Sequence, residues 1–582
     1  MSLQPVIIQT FRVASTDTDV IRECKNTKII FLVESICNIY SLTPEKLKMK
    51  WEAFALTSQC DLRPTLPYIK ILRNSLQREF ERGLKSRRTV KGKVTTKRGG
   101  AFDFSEYGLD SVKQEESLDD FMAGMFEAPA KQTRPMAPKV RPPPASSTAS
   151  PLDNRSSSHI VETQFNGHLP LPSKDASMDV VNSPFTFAYT QGPVKPYRFM
   201  FEKIKEKSEG VDERIDYIAS LIQAHHNIEA FANPSKQSQE AIYAYGLVSS
   251  DDGSEQRLNE KSIVLQTSRD LGMGKRVVLD LSRVESYSFF PGQVIGVKGT
   301  NHNGIRFHVD EVLMPPAPER DQYEIKENKT LDMMVSAGPY TFDSDLLFSP
   351  LQELLKKCSE EKPDVLILMG PFISVHHPFI SSANIQQLPE HIFYEQVVTR
   401  LENLLDMCTE THVFLIPHAN DIIQNYNLFP QPAFSTNLNI KHERIHLASN
   451  PCGLLMNGHT VGIANVDSLF RLGREEITKN PAQTDKFSRL TEHLLQQHTY
   501  YPLYPHAIED NIDAGCLLDI HLPTKPDILI LPSQFKHFVK QVNGTVSMNP
   551  GFLCKHQVVG TYGRVILYPN VEERIRVDLL KL

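Results

Sequence analysis

The chain has 582 residues, 40% of them hydrophobic and 23% charged, with a formal net charge of −6 and a pI near 6.4. At about 150 residues per domain, this length implies three or four units. The mild acidity argues against a protein that coats nucleic acid through bulk charge, so any DNA contact would be local and weak.

Residues 1–82 read as an N-terminal all-α domain. Ile29, Leu32, Val33, Ile36 and Tyr40 recur at helical spacing. Thr43-Pro44 has the form of an N-cap followed by proline at the first helical position, and Leu47, Trp51 and Phe54 continue one face. Ile69, Leu72, Leu76 and Phe80 form a second stripe that Gly83 could cap. The simplest reading is a small bundle with its own core; a surface that also docks a partner peptide is the alternative.

Residues 83–194 read as a disordered linker. A basic run (Lys85, Arg87, Arg88, Lys91, Lys93, Lys97, Arg98) precedes an acidic stretch at Glu115, Glu116, Asp119 and Asp120 and the segment RPPPASSTASPLDNRSSS. Such composition cannot bury enough apolar surface to offset its ordering entropy. The basic run reads as a solvated cluster or a nuclear import signal, with a small DNA contact as a third option. Ser150-Pro151 and Ser183-Pro184 suit a proline-directed kinase, or are ordinary linker composition.

Residues 195–320 read as a helical lead-in followed by a barrel. FMFEKIKEKSEGVDERIDYIASLIQAHH predicts a helix within 195–232. Five short apolar runs follow (AIYAYGLVS, SIVLQT, RVVLDLS, QVIGVKGTN, IRFHVDEVL), separated by turn signals such as Asp252-Gly253 and Asn303-Gly304. This spacing predicts a closed OB-type β-barrel. Tyr243, Tyr245, Tyr287, Phe289, Phe290 and Phe307 are either packed or available to stack bases, and packing is the simpler reading. Phe289-Phe290-Pro291-Gly292 has the form of a packed turn. Gly272-Met273-Gly274 is too short a glycine pattern to bind a phosphate.

Residues 321–582 alternate between strand and helix patterns. Strands are predicted at LDMMVSA, DVLILM, HVFLI, RIHLA, HTVGIANV, DILILP and QVVGTYGRVILY, and helices at 345–358, 390–407 and 484–498. This is an α/β domain with a substantial sheet. The eight cysteines (Cys24, Cys37, Cys60, Cys358, Cys408, Cys452, Cys516, Cys554) include no CxxC pair, so no zinc cluster is expected. Their low, scattered usage fits a reducing compartment. The opening MSLQPVIIQTFRV lacks the charged and apolar regions of a signal peptide, and no apolar run reaches the roughly 18–20 residues of a membrane span. The expectation is a soluble intracellular protein without membrane contact.

Several stretches together carry a resemblance. They are FFPGQVIGVKGTN (289–301), SAGPYTFDSDLLFSPLQELL (336–355), PDVLILMGPFI (363–373), SNPC (449–452), KFSRLTEHLLQQHTYYPLYP (486–505), KPDILILPSQFKHFVKQV (525–542), NPGFLCK (549–555) and GTYGRVILY (560–568). Over residues 195–582 the chain resembles the B subunits of eukaryotic replicative DNA polymerases, with the alpha type the nearest match. The epsilon and delta small subunits are the alternatives. The resemblance implies an OB domain joined to a calcineurin-like phosphoesterase domain.

Active enzymes of that phosphoesterase fold hold two metals with DxH, GD, GNHD/E and GHxH ligands at strand ends. Here the first position reads Gly338-Pro339-Tyr340, and at the second Gly370 precedes Pro371. The third, Pro417-His418-Ala419-Asn420-Asp421, matches loosely, and Ser533-Gln534-Phe535-Lys536 stands at the last. Proline and phenylalanine cannot ligate metal, so the domain is expected to lack catalytic, cofactor and metal sites. His418 with Asp421 is at most half of a metal site. Gly458-His459, followed by Thr460-Val461, reads as a turn into a strand, and His376-His377 as a solvated loop. No P-loop, GxSxG or DxD pattern stands in a supporting context. An active metallophosphoesterase is the rival reading, and it lacks its ligands.

The resemblance therefore implies a non-catalytic scaffold in the nucleus. Its expected partners are the zinc-bearing C-terminal domain of the polymerase alpha catalytic subunit, the primase subunits of the same complex, and other replication proteins reached through the N-terminal domain. Tyr340, Phe372 and Ile373, on strand-end loops, are candidate interface anchors or internal packing residues.

Overall fold

The computed structural model describes Lys50 and residues 159–582, except 173–184, 197, 200, 202, 252–256, 322–329, 436–437, 439, 514–518 and 570–573. The chain divides into two compact units, Met1–Arg141 and Pro142–Leu582. All described residues but Lys50 lie in the second. The expected N-terminal helices, the basic and acidic runs and both Ser-Pro pairs lie outside the described residues.

The predicted lead-in is the helix Ile204–His225. Val211, Ile215, Ile218, Ala219 and Ile222 form its buried stripe at spacings of three and four. That stripe packs on Leu247, Val294 and Leu313 of the barrel. All five predicted barrel strands form: Ser238–Ser250, Ile263–Gln266, Arg276–Asp280, Val294–Asn301 and Arg306–Leu313. They close a five-stranded barrel in which the third and last strands pair in parallel. Ala244, Val248, Leu265, Val277, Leu279, Val297, Phe307 and Val309 fill its interior.

The α/β domain has four layers. A seven-stranded sheet contains the parallel strands Leu331–Ala337, Val365–Met369, His412–Ile416 and Ile445–Leu447. A six-stranded sheet contains the parallel strands His459–Ile463, Ile528–Ile530 and Thr545–Asn549. The period of two sorts side chains between layers. Leu366 and Leu368 pack with the helices Ser349–Glu361 and Thr399–Met407. Val365, Ile367 and Met369 pack between the sheets with Val461, Ile463, Ile528 and Ile530. The helices Ser468–Glu475 and Lys486–Gln496 cover the outer face of the six-stranded sheet. Val365–Met369 is covered on both faces and apolar throughout, which makes it legible as the run VLILM.

Two expectations are corrected. The helix predicted over 390–407 is interrupted by a π-helical turn at Tyr394–Val398, with Pro389–Phe393 before it and Thr399–Met407 after it. The stretch read as linker carries two strands. Val161–Phe165 extends the seven-stranded sheet by pairing with Ile575–Lys581. Phe187–Tyr189 extends the six-stranded sheet by pairing with Cys452–Met456. Edge strands this short have too few residues to show a pattern, and partners hundreds of positions away supply their stability.

Barrel and sandwich are joined by backbone as well as side chains. Tyr287–Phe289 pairs antiparallel with Ile477–Lys479. Gln497 donates to the Val294 carbonyl at 2.9 Å and accepts from the Val294 N–H at 2.8 Å. Gly292 has φ near +90° and lies so close to Tyr504 that a Cβ would sit 2.2 Å from its backbone nitrogen. Glycine alone meets both demands.

Candidate functional site at the strand ends

Parallel strands place their C-terminal loops on one side of a sheet, where α/β proteins build their sites. Here those loops hold Gly338-Pro339-Tyr340, Gly370-Pro371-Phe372, Pro417-His418, Ser449-Asn450, Ala464-Asn465 and Ser533-Gln534. Gly338 packs directly on the second loop, and a Cβ there would sit 2.1 Å from the Pro371 carbonyl oxygen.

An aromatic pair fills the first two positions. Tyr340 stacks on Phe372 with ring centroids 5.2 Å apart, and its hydroxyl donates to the Ser336 and Met369 carbonyls at 3.0 Å. Phe372 also meets Phe393 and Phe434 edge-on. Tyr340, Phe372 and Ile373 are all buried, so none is an exposed interface anchor. Their rings and methyl groups fill the space under the loops, which gives them more apolar contact than solvent-facing loop positions could.

Asp421 pins the second loop. Its carboxylate accepts the Phe372 N–H at 2.6 Å and the Ile373 N–H at 3.1 Å. Burial pushes its carboxyl up to about 7, against the pull of the Phe372, Ile373 and Ile423 amides. Burial likewise pushes His418 down to about 4, with the nearby His376 adding to the effect. The His418 Nδ1 accepts the Asn420 N–H at 3.0 Å. Among the described residues, no group of three or more His, Cys, Asp or Glu side chains is placed to hold a metal ion.

Neutral amides join the remaining loops, and these are residues that the sequence patterns do not single out. Asn465 Nδ2 donates to the Gly370 carbonyl at 2.9 Å and the Pro417 carbonyl at 3.1 Å. Asn450 Oδ1 accepts the Asn465 N–H, and Asn450 Nδ2 donates to Gln431 Oε1 and the Asn465 carbonyl. Asn549 Oδ1 accepts the Ser533 and Gly551 amides, and its Nδ2 donates to the Phe535 carbonyl at 3.0 Å. Asparagines at the ends of strand patterns (SNPC, IANV, MNPG) are the available signal.

The other histidines divide. Gly458 has φ near +82° and leads into the strand that His459 begins, as expected. His376 is exposed, but His377 is buried, contrary to the solvated reading. Its Nδ1 accepts the Phe379 N–H at the start of the helix Pro378–Ser381, and its Nε2 bonds the Phe342 carbonyl at 3.0 Å. The barrel aromatics pack: Tyr287, Phe289, Phe290 and Phe307 are buried, and the Tyr245 hydroxyl donates to Asp216 at 2.8 Å.

Two family models match the chain. Residues 333–540 match the family model of the DNA polymerase alpha/epsilon B subunit, and residues 208–315 match that of the OB domain of the DNA polymerase alpha B subunit. The DNA polymerase alpha B subunit of Schizosaccharomyces pombe is 35% identical over 395 residues, covering 64% of this chain and 68% of that one. The Rattus norvegicus protein of the same name is 33% identical over 65% of this chain and 63% of its own. The Bos taurus protein is 29% identical over 92% of this chain and 91% of its own. Among solved structures, an archaeal phosphodiesterase matches 43% of this chain and 99% of its own at 10% identity and a TM-score of 0.22. Vacuolar protein sorting 29 from Cryptosporidium parvum matches 44% and 98% at 9% identity and a TM-score of 0.20.

Proposed function

Because this chain belongs to the family of DNA polymerase alpha B subunits, we propose that it is a non-catalytic scaffold of the polymerase alpha–primase complex. The barrel and sandwich hold the zinc-bearing C-terminal domain of the catalytic subunit. Primase sits in the same complex, and the N-terminal unit reaches other replication proteins in the nucleus. The supporting observation is the strand-end face, where Gly338, Pro371 and Ser533 stand at positions that the resemblance assigns to metal ligands in an active phosphoesterase, and where an aromatic stack, Asp421 and three asparagines tie the loops together. Loops tied by amides keep a fixed shape, and a preformed surface loses less entropy on binding than a disordered one.

Two measurements test this. In a pull-down against the catalytic subunit, residues 142–582 retain it as well as the full chain does, and residues 1–141 do not. Capture by the N-terminal unit alone would move the docking element there. In hydrolysis assays, phosphomonoesters and phosphodiesters stay intact with or without Mn²⁺. Turnover that disappears on substituting His418 and Asp421 would overturn the scaffold reading.

A further inference from the structure

The segment Phe185–Thr190 lies along the edge of the six-stranded sheet in the manner of a bound peptide. Its exposure alternates: Phe185, Phe187 and Tyr189 are half-buried, whereas Thr186 and Ala188 are exposed. Its backbone bonds one sheet while its rings reach the other. Leu454, Leu455 and Met456 pair with Tyr189, Ala188 and Phe187, and the Thr190 N–H donates to the Gly453 carbonyl at 3.0 Å. Phe187 lies 4.5 Å from His446 and 5.1 Å from Phe414, and Phe185 lies 4.7 Å from His412. His412 and His446 bond each other at 2.9 Å and form the floor of the groove.

The two edge strands are held unequally. Around Val161–Phe165, Gln164 bonds Asp578, Asn166 bonds the Ile575 carbonyl, and the buried Arg576 guanidinium bonds the Leu169 carbonyl. The strand Phe187–Tyr189 has only three residue pairs; the Tyr189 hydroxyl donates to the Leu447 carbonyl at a long 3.5 Å, and Asn457 Oδ1 accepts the Thr186 hydroxyl at 3.3 Å and the Thr186 N–H at 3.0 Å. That bond fixes the orientation of the amide, and it leaves the buried Asn457 Nδ2 with no acceptor among the described residues. An unsatisfied buried donor weakens the occupant that leaves it so.

We propose that the edge at Cys452–Met456 is a groove for an extended partner peptide with aromatic side chains at alternate positions, and that residues 185–190 are its exchangeable internal occupant. Strand addition to a sheet edge draws affinity from backbone bonds and specificity from pockets for alternate side chains. The covalent tether gives the internal strand a high effective concentration, so a free peptide binds only when that strand is weakened or out-competed.

The test uses the full chain, wild type and F185D/F187D, with a fluorescent peptide of sequence PFTFAYT. Anisotropy is expected to show binding to the double variant at least about tenfold tighter than to wild type, abolished when both peptide phenylalanines are alanine. Equal binding to both chains overturns the proposal, as does no binding to a double variant that still melts cooperatively. If the double variant fails to fold, hydrogen exchange on the wild type decides. The Asn457 amide donates to the Thr186 carbonyl, and the Lys581 amide donates to the Ile160 carbonyl. Exchange at Asn457 at least about tenfold faster than at Lys581 supports an exchangeable strand, and equal protection refutes it.

Discussion

Deleting residues 1–195 is expected to turn the protein into multimers or aggregates, whereas deleting 1–141 leaves a monomer that melts cooperatively. Both edge strands lie in the difference. The first is bonded along its length: the His159 N–H donates to the Lys581 carbonyl at 2.7 Å, and the Lys581 N–H to the Ile160 carbonyl at 2.9 Å. Its departure leaves the buried Arg576 paired with Asp578 but without the Leu169 carbonyl. Tyr568 loses the Pro170 carbonyl. The second strand takes Phe187 off the Phe414 and His446 rings. At about 1 kcal/mol per lost hydrogen bond, plus the aromatic burial, the destabilisation is on the order of 5–10 kcal/mol. The edges then uncovered, the apolar Cys452–Met456 and the mixed Ile575–Lys581, each present an unpaired row of backbone groups, which favours association with other copies. Sedimentation velocity and thermal melting of the two truncated chains check this. A monomeric, equally stable 196–582 fragment would show that the strands are ornamental.

Replacing Glu476 by alanine is expected to loosen the barrel from the sandwich and lower stability by about 3–5 kcal/mol. The side chain is 4% exposed and receives Arg489 Nε at 2.6 Å, Arg489 Nη2 at 2.9 Å, Ser288 Oγ at 2.7 Å and His493 Nε2 at 3.1 Å. Ser288 lies in Tyr287–Phe289, the short strand beside the barrel that pairs with Ile477–Lys479, so the carboxylate ties the two domains at their shared two-stranded sheet. Burial would raise its pKa, but His493, Arg489 and Ser288 outweigh burial and hold it at about 2. A depressed pKa contributes stability above the unfolded value and loses it as pH falls through the folded one. The tie is therefore complete at neutral pH and fails only in acid, between about 4.5 and 2. Alanine leaves the nearly buried Arg489 guanidinium without its anion and removes a hydrogen-bond partner from His493 Nε2, which is the costly case. Urea denaturation should show the loss, and limited proteolysis should cut first near the joint. Ser288→Ala, which removes the hydroxyl's bond to the carboxylate and its contact with His493 Nε2 but leaves the ion pair in place, should cost less, about 1.5–3 kcal/mol. Equal losses for the two variants would mean that the carboxylate is not the hub.

The sequence by itself determined the elements whose stability is local or whose burial is complete. The five barrel strands are readable because turn residues punctuate short apolar runs. The inner strands of the sandwich, such as Val365–Met369 and Ile528–Ile530, are readable because layers on both faces require apolar side chains throughout. That glycine and proline at 338 and 371 offer no metal-ligating side chain is also readable, since a residue type either can or cannot ligate. Tertiary structure alone decided what depends on distant partners. Phe187–Tyr189 and Ile477–Lys479 are strands because of Cys452–Met456 and Tyr287–Phe289, and three residues carry no period of their own. Whether Tyr340 and Phe372 face solvent or each other depends on the space that the helices leave under the loops. His377 is buried because a carbonyl 35 positions away and the amide of the helix it caps satisfy both ring nitrogens. The roles of Asn450, Asn465 and Asn549 exist only once the strand ends converge, because a side-chain amide gains little until it can reach the buried backbone groups of two loops at once.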